Sequence, residues 1–124
     1  MKKIYYLLPL FVLITGCYEQ QRDCANFKTG KFTSQITVNG TVKTSVFERN
    51  DSLQIETFEG KTDTASIRWV NDCEFVMQKL RPKNRQEKKA VSMKILATKD
   101  NSYTFEFSLV GEPEKQQGTV TKLN

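Results

Sequence analysis

The chain contains no histidine. That absence excludes Ser-His-Asp and Cys-His nucleophile systems, His-ligated zinc or iron, and imidazole acid–base catalysis. Glycine and proline are scarce, at six and three of 124 residues, which excludes collagen-like and low-complexity chains. Cysteine is limited to Cys17, Cys24 and Cys73, and no Cys-x-x-Cys spacing supports a thioredoxin-like redox pair. Long hydrophobic runs are missing too. The apolar run at residues 4–14 rises about 16 Å as a helix, roughly half of a hydrocarbon core, so a permanent membrane-spanning helix is not expected. The acidic residues Asp51, Glu56, Glu59 and Asp63 near Gly60 lack calcium-loop spacing and read as solvated turn and strand-edge positions, not as a metal site or a glycosidase pair.

What is present at the N-terminus is an export pattern. Met1-Lys2-Lys3 gives a basic start, the apolar run follows, and Thr15-Gly16 are small residues before Cys17. Leu13-Ile14-Thr15-Gly16-Cys17 resembles the lipobox of bacterial lipoproteins. The resemblance implies that residues 1–16 are a signal peptide and that Cys17 becomes the first mature residue, carrying a diacylglycerol and an amide-linked acyl chain of the palmitate type. Such chains exceed what stable membrane attachment requires. Tyr18 stands where aspartate would signal inner-membrane retention, so the resemblance implies an outer-membrane anchor, on the periplasmic face sooner than on the cell surface.

Removing residues 1–16 changes the charge balance. The whole chain carries +5; without Lys2 and Lys3 the mature part has 17 basic and 14 acidic side chains, or +3. That mild excess does not point to nucleic acid. With Cys17 lipidated, Cys24 and Cys73 allow a single intramolecular pairing in an oxidising compartment. A structural disulfide is expected, with two separate buried thiols as the alternative. Closing 49 residues would stabilise the domain by about 4 kcal/mol.

From residue 27 onward the pattern alternates with period two. Phe32, Ser34, Ile36 and Val38 lead into Asn39-Gly40, the strongest short hairpin signal. Val42, Thr44 and Val46 continue beyond it, and Asn50-Asp51 marks the next turn. Leu53, Ile55 and Thr57 alternate with Gln54 and Glu56 up to Gly60. Ala65, Ile67 and Trp69 form the next strand, and Asn71-Asp72 turns the chain into residues 73–80. Val91, Met93, Ile95 and Ala97, then Tyr103, Phe105, Phe107 and Leu109, give two more strands, and residues 119–123 a last short one. Residues 84–90 contain helix formers and read as a helical turn on a long hairpin loop. The fold class predicted is all-β: a single antiparallel meander of about eight strands, closed as a small barrel or folded as a sandwich. The domain layout is a signal peptide over 1–16, a lipidated tether over 17–26, and one β domain over 27–124.

Two further resemblances bear on the body. Gly30-Lys31-Phe32 resembles the Gly-x-Trp opening strand of lipocalin-like (calycin) barrels, with Phe32 in place of tryptophan. No Asp-Tyr motif or late arginine completes the family set, so the resemblance implies a barrel without implying a ligand. The mature region also resembles short envelope lipoproteins of unassigned role carrying Arg-Trp-Val-Asn-Asp-Cys-Glu-Phe, here residues 68–75, some of which bear a topoisomerase IV label. Strand passage needs a large multidomain gate with nucleotide and Mg²⁺ sites, so that label is read as an error.

Two residue groups remain as candidate sites. Trp69, Met77, Met93, Tyr103, Phe105 and Phe107 form an aromatic and soft apolar set that fills a core or lines a ligand cavity. Lys79, Arg81, Lys83, Arg85, Lys88 and Lys89, interrupted by Glu87, form a basic segment. It reads as a solvated loop, or as a contact surface for anionic lipid head groups or an acidic envelope protein. No aromatic platform interleaves it, so nucleic acid is not an expected partner. The functional expectation is a membrane-anchored, non-enzymatic binding or structural module without a cofactor, meeting an envelope partner through a sheet edge or the basic loop. The alternative is a carrier of a small apolar ligand in the barrel interior.

Overall fold

A computed structural model of the chain describes residues 22–123. The predicted signal peptide and the lipidation residue Cys17 lie outside the described residues. A short 3-10 turn, Cys24–Phe27, precedes eight strands: β1 (Gly30–Val38), β2 (Thr41–Arg49), β3 (Leu53–Phe58), β4 (Lys61–Asn71), β5 (Glu74–Lys79), β6 (Val91–Lys99), β7 (Ser102–Leu109) and β8 (Gln116–Lys122). Each strand pairs antiparallel with the next, and β8 returns to β1, closing an eight-stranded barrel. The architecture is the meander that the alternation predicts. The fold takes in residues 22–26 as well, which the sequence reading assigned to the tether. Residues 84–90 contain a hydrogen-bonded turn, with Asn84 Oδ1 accepting the Glu87 N–H, and no helix.

The turns explain the register. Asn39 and Gly40 both adopt positive φ, as a two-residue type I′ turn demands, and set Val38 opposite Thr41. Counting back from that turn places Phe32 opposite Phe47 and Ser34 opposite Ser45. Glu59 and Gly60 repeat the device between β3 and β4, so Glu56 lies opposite Asp63 and Gln54 opposite Ala65. Asn50 and Asn71 close the opposite turns: their side-chain oxygens accept the N–H groups of Leu53 and Cys73 at 2.8 and 2.9 Å.

The register corrects one part of the alternation. On β2 and β3 the β-branched residues face outward: Val42, Val46 and Ile55 are exposed, whereas Phe47, Arg49 and Gln54 are buried. Since a shift of one residue would reverse both faces, Phe32 opposite Phe47 fixes this choice. The exposed valines match the packing preference of a pleated outer surface and need no partner there. On these two strands the inner face therefore carries Ser45, Arg49, Gln54 and Glu56 beside Phe47, where hydrophobicity alone would have placed valine and isoleucine.

The core is concentrated at one end. Cys24, Phe27, Phe32, Phe47, Ile95, Tyr103, Phe105 and Val120 form one buried cluster. The 3-10 turn plugs this end, and the Cys24–Cys73 disulfide ties it to the turn between β4 and β5. Arg22 donates to the Ile95 carbonyl, the Asp23 N–H to Thr98 Oγ1, and Lys122 Nζ to the Asn26 carbonyl, so β6 and β8 hold the plug as well. Gly118 of β8 leaves room for the Phe105 ring; a Cβ there would sit 2.7 Å from the ring edge and 2.8 Å from the Gln35 carbonyl.

Candidate functional site

Hairpin connectivity sends alternate turns to opposite ends of the barrel. The plugged end receives the turns around Asp51, Asp72 and Asp100; the other end receives Asn39-Gly40, Glu59-Gly60, the long β5–β6 loop and the β7–β8 loop. This second end is open. A mouth of about 450 Å³ is lined on one side by Glu56, Phe58, Glu59, Lys61 and Asp63 and on the other by Met77, Lys79, Gln86, Glu87 and Lys89. A second recess of about 190 Å³ lies further in, lined by Ile36, Phe47, Met93, Tyr103, Phe105, Phe107 and Val120. Gln54, Glu56, Met77 and Val91 border both, so the two are neighbouring compartments of one lumen.

Of the apolar candidates, Met77, Met93, Tyr103, Phe105 and Phe107 line this lumen. Trp69 does not. It sits at the plugged end, with its ring 4.6 Å from Phe75 and the Lys28 ammonium 5.0 Å over its face. The basic segment is divided as well. Lys79 points into the mouth, bonded to Glu87 at 2.9 Å and paired with Asp63 at 3.6 Å, and Lys89 pairs with Glu112. Arg81, Lys83, Arg85 and Lys88 are exposed on the loop. The carboxylates near Gly60 are also separated, because Asp51 lies at the plugged end while Glu56, Glu59 and Asp63 reach the mouth. Among the described residues, no group of three or more histidine, cysteine, aspartate or glutamate side chains is placed to hold a metal ion.

Electrostatics differ within the mouth. Burial raises the Glu56 carboxyl above its ordinary range; Lys79 opposes the rise and Asp63 adds to it. Among the described residues the Glu56 carboxyl makes no side-chain hydrogen bond or salt bridge, although it faces both compartments. Glu87 shifts the other way, held down by its hydrogen bond from Lys79 and the Lys83 N–H. The Lys79 ammonium is raised in turn, chiefly by that same bond to Glu87.

The plugged end contains the residue that sequence reasoning missed. Arg49 is buried and, among the described residues, bonds to no carboxylate. Its guanidinium donates to the carbonyls of Phe27 and Lys28, to Gln54 Oε1 at 3.2 Å and to the Tyr103 hydroxyl at 3.2 Å. Phe75, Phe32, Phe47 and Trp69 surround it, with ring centroids 4.8 to 5.7 Å away. The signal was available: two-residue turn geometry carries Arg49 to the inner face opposite Gly30, two positions beyond Phe47. Burial raises the Tyr103 phenol, and the Arg49 charge opposes that rise.

No protein-family model, curated protein or solved structure matches this chain.

Proposed function

We propose that this protein is a lipid-anchored lipoprotein of the bacterial outer membrane whose barrel takes up a small, chiefly apolar molecule through its open end. The lumen carries this reading. The mouth volume of about 450 Å³ falls within the roughly 300–1,000 Å³ of small-molecule sites; polar and charged groups ring it, and the recess beyond it is lined chiefly by apolar side chains. The export pattern ending at Cys17 supports the anchor and the periplasmic-face location. No catalytic step is part of this reading. Docking of an envelope protein is the second reading. It is favoured by exposed Arg81, Lys83, Arg85 and Lys88, but β1–β8 pairing leaves no free strand edge among the described strands.

The test is titration with N-phenyl-1-naphthylamine, a neutral dye that brightens in apolar surroundings. Saturable binding is expected, with Val91→Phe weakening it at least about tenfold by filling the border between the compartments. Absence of binding, or binding indifferent to Val91→Phe, would remove the carrier reading. Cys17→Ala should release the protein from membranes; retention there would remove the anchor.

A further inference from the structure

We infer that the molecule accepted by the lumen is an amphiphile with a basic head, its apolar chain in the inner recess and its ammonium at Glu56 and Asp63. The inference rests on the carrier reading above and adds the chemical class of the ligand.

The inner recess sets one half of the requirement. Met77 and Val91 lead inward to Met93, Phe105 and Phe107, a wall that offers an alkyl or aryl chain dispersion contacts and no charge. The throat sets the other half. Glu56, Asp63 and Glu87 surround a single ammonium, that of Lys79, and two of these carboxylates already engage it. Lys89 is paired with Glu112, and Lys43 with Glu59 at 3.5 Å. Lys61, the remaining cation of the wall, stands exposed on the turn at the outer rim. A carboxylate or phosphate head entering the throat would add a fourth negative group around one cation. An ammonium would instead balance the excess, and the Glu56 carboxyl, with no side-chain hydrogen bond or salt bridge among the described residues, stands where the polar mouth meets the apolar recess. Without residues 1–16 the chain still carries +3, which disfavours a cation at long range. A preference for an amine therefore reports the throat and not the overall field.

The experiment displaces N-phenyl-1-naphthylamine from the full-length protein with decylamine, decanoate and decanol, which share a chain length and differ in the head. Decylamine is expected to displace the dye at a concentration at least about tenfold below that of decanoate. Glu56→Gln should shrink the amine-to-alcohol affinity ratio several-fold, and Asp63→Asn provides the same measurement should the first variant fail to fold. Equal potency of amine and decanoate, a stronger decanoate, or a ratio unmoved by either variant overturns the basic-head assignment while leaving the cavity reading intact. A dye that binds yet is displaced by none of the three lies outside the lumen. That result overturns the carrier reading and this inference together.

Discussion

The two ends of this barrel face the same physical problem, an inward-pointing charge, and resolve it in opposite ways. At the plugged end Arg49 is almost completely buried, yet its guanidinium donates to four neutral acceptors and is enclosed by aromatic faces. A buried charge is tolerable when its hydrogen bonds are made, and here they join the N-terminal plug, β2, β3 and β7. At the mouth, among the described residues, Glu56 has no salt bridge and Lys79 has two. The first arrangement closes space; the second leaves about 450 Å³ open. The difference separates a packed end from an open one: Arg49 locks the end it occupies through its donors, although Trp69 Nε1 is buried there without a partner among the described residues, and Glu56 borders space that another molecule can fill.

Two changes test whether the plugged end is the stabilising one. Reducing Cys24–Cys73, or replacing both by alanine, is expected to cost about 4 kcal/mol in urea denaturation, because the loop closed between them spans 49 residues. That is a large share of the roughly 5–15 kcal/mol net stability of a domain this size. A loss under about 1 kcal/mol would mean that the plug is held by its hydrogen bonds alone. Arg49→Met keeps an apolar stem and removes the donors, stranding the carbonyls of Phe27 and Lys28, Gln54 Oε1 and the Tyr103 hydroxyl. About 3 kcal/mol of destabilisation is expected, together with a change in the fluorescence of Trp69, the single tryptophan, whose ring lies 5.7 Å from the guanidinium. Unaltered emission would separate Trp69 from that network.

The ends also differ in how far they were legible. All eight strands and the asparagine and glycine turns follow from alternation and turn chemistry, since both are local. The plug is not local: residues 22–26 read as tether because their partners lie at Lys122, Ile95 and Thr98. On β2 and β3, hydrophobicity points to the wrong face. Burying Arg49 and Gln54 while exposing Val46 and Ile55 goes against transfer energies residue by residue. It becomes readable only through hairpin arithmetic, in which Phe32 fixes Phe47 and the Glu59-Gly60 turn sets Glu56 opposite Asp63. The mouth cluster was hidden for a related reason. Its members were sorted into a basic run and an acidic turn, and it is the β4–β5 pairing, with Ala65 opposite Lys79, that brings Lys79 to Asp63.

The smallest expected effect lies in the mouth and is read from its sign. Burial holds the Glu56 carboxyl above its ordinary value, with Lys79 opposing and Asp63 reinforcing the shift. The folded chain therefore keeps this proton to a higher pH than the unfolded chain does. Stability linked to Glu56 is present in full below the unfolded value and is lost as pH rises through the folded one. Glu87, held down by Lys79, works in the opposite sense, adding stability above the ordinary carboxylate range and losing it as pH falls. Its exposure to solvent screens that contribution, so the Glu56 slope should dominate the mouth. The plugged end offers no counterpart at the level of Arg49, where every bonded acceptor is neutral. Urea midpoints measured between about pH 4 and pH 8 should fall with rising pH more steeply in the wild-type chain than in Glu56→Gln. Parallel profiles would show that water reaches Glu56 as freely in the fold as outside it. The lumen would then be wet at its waist, and the contrast between a sealed end and a poised one would shrink to a difference in packing.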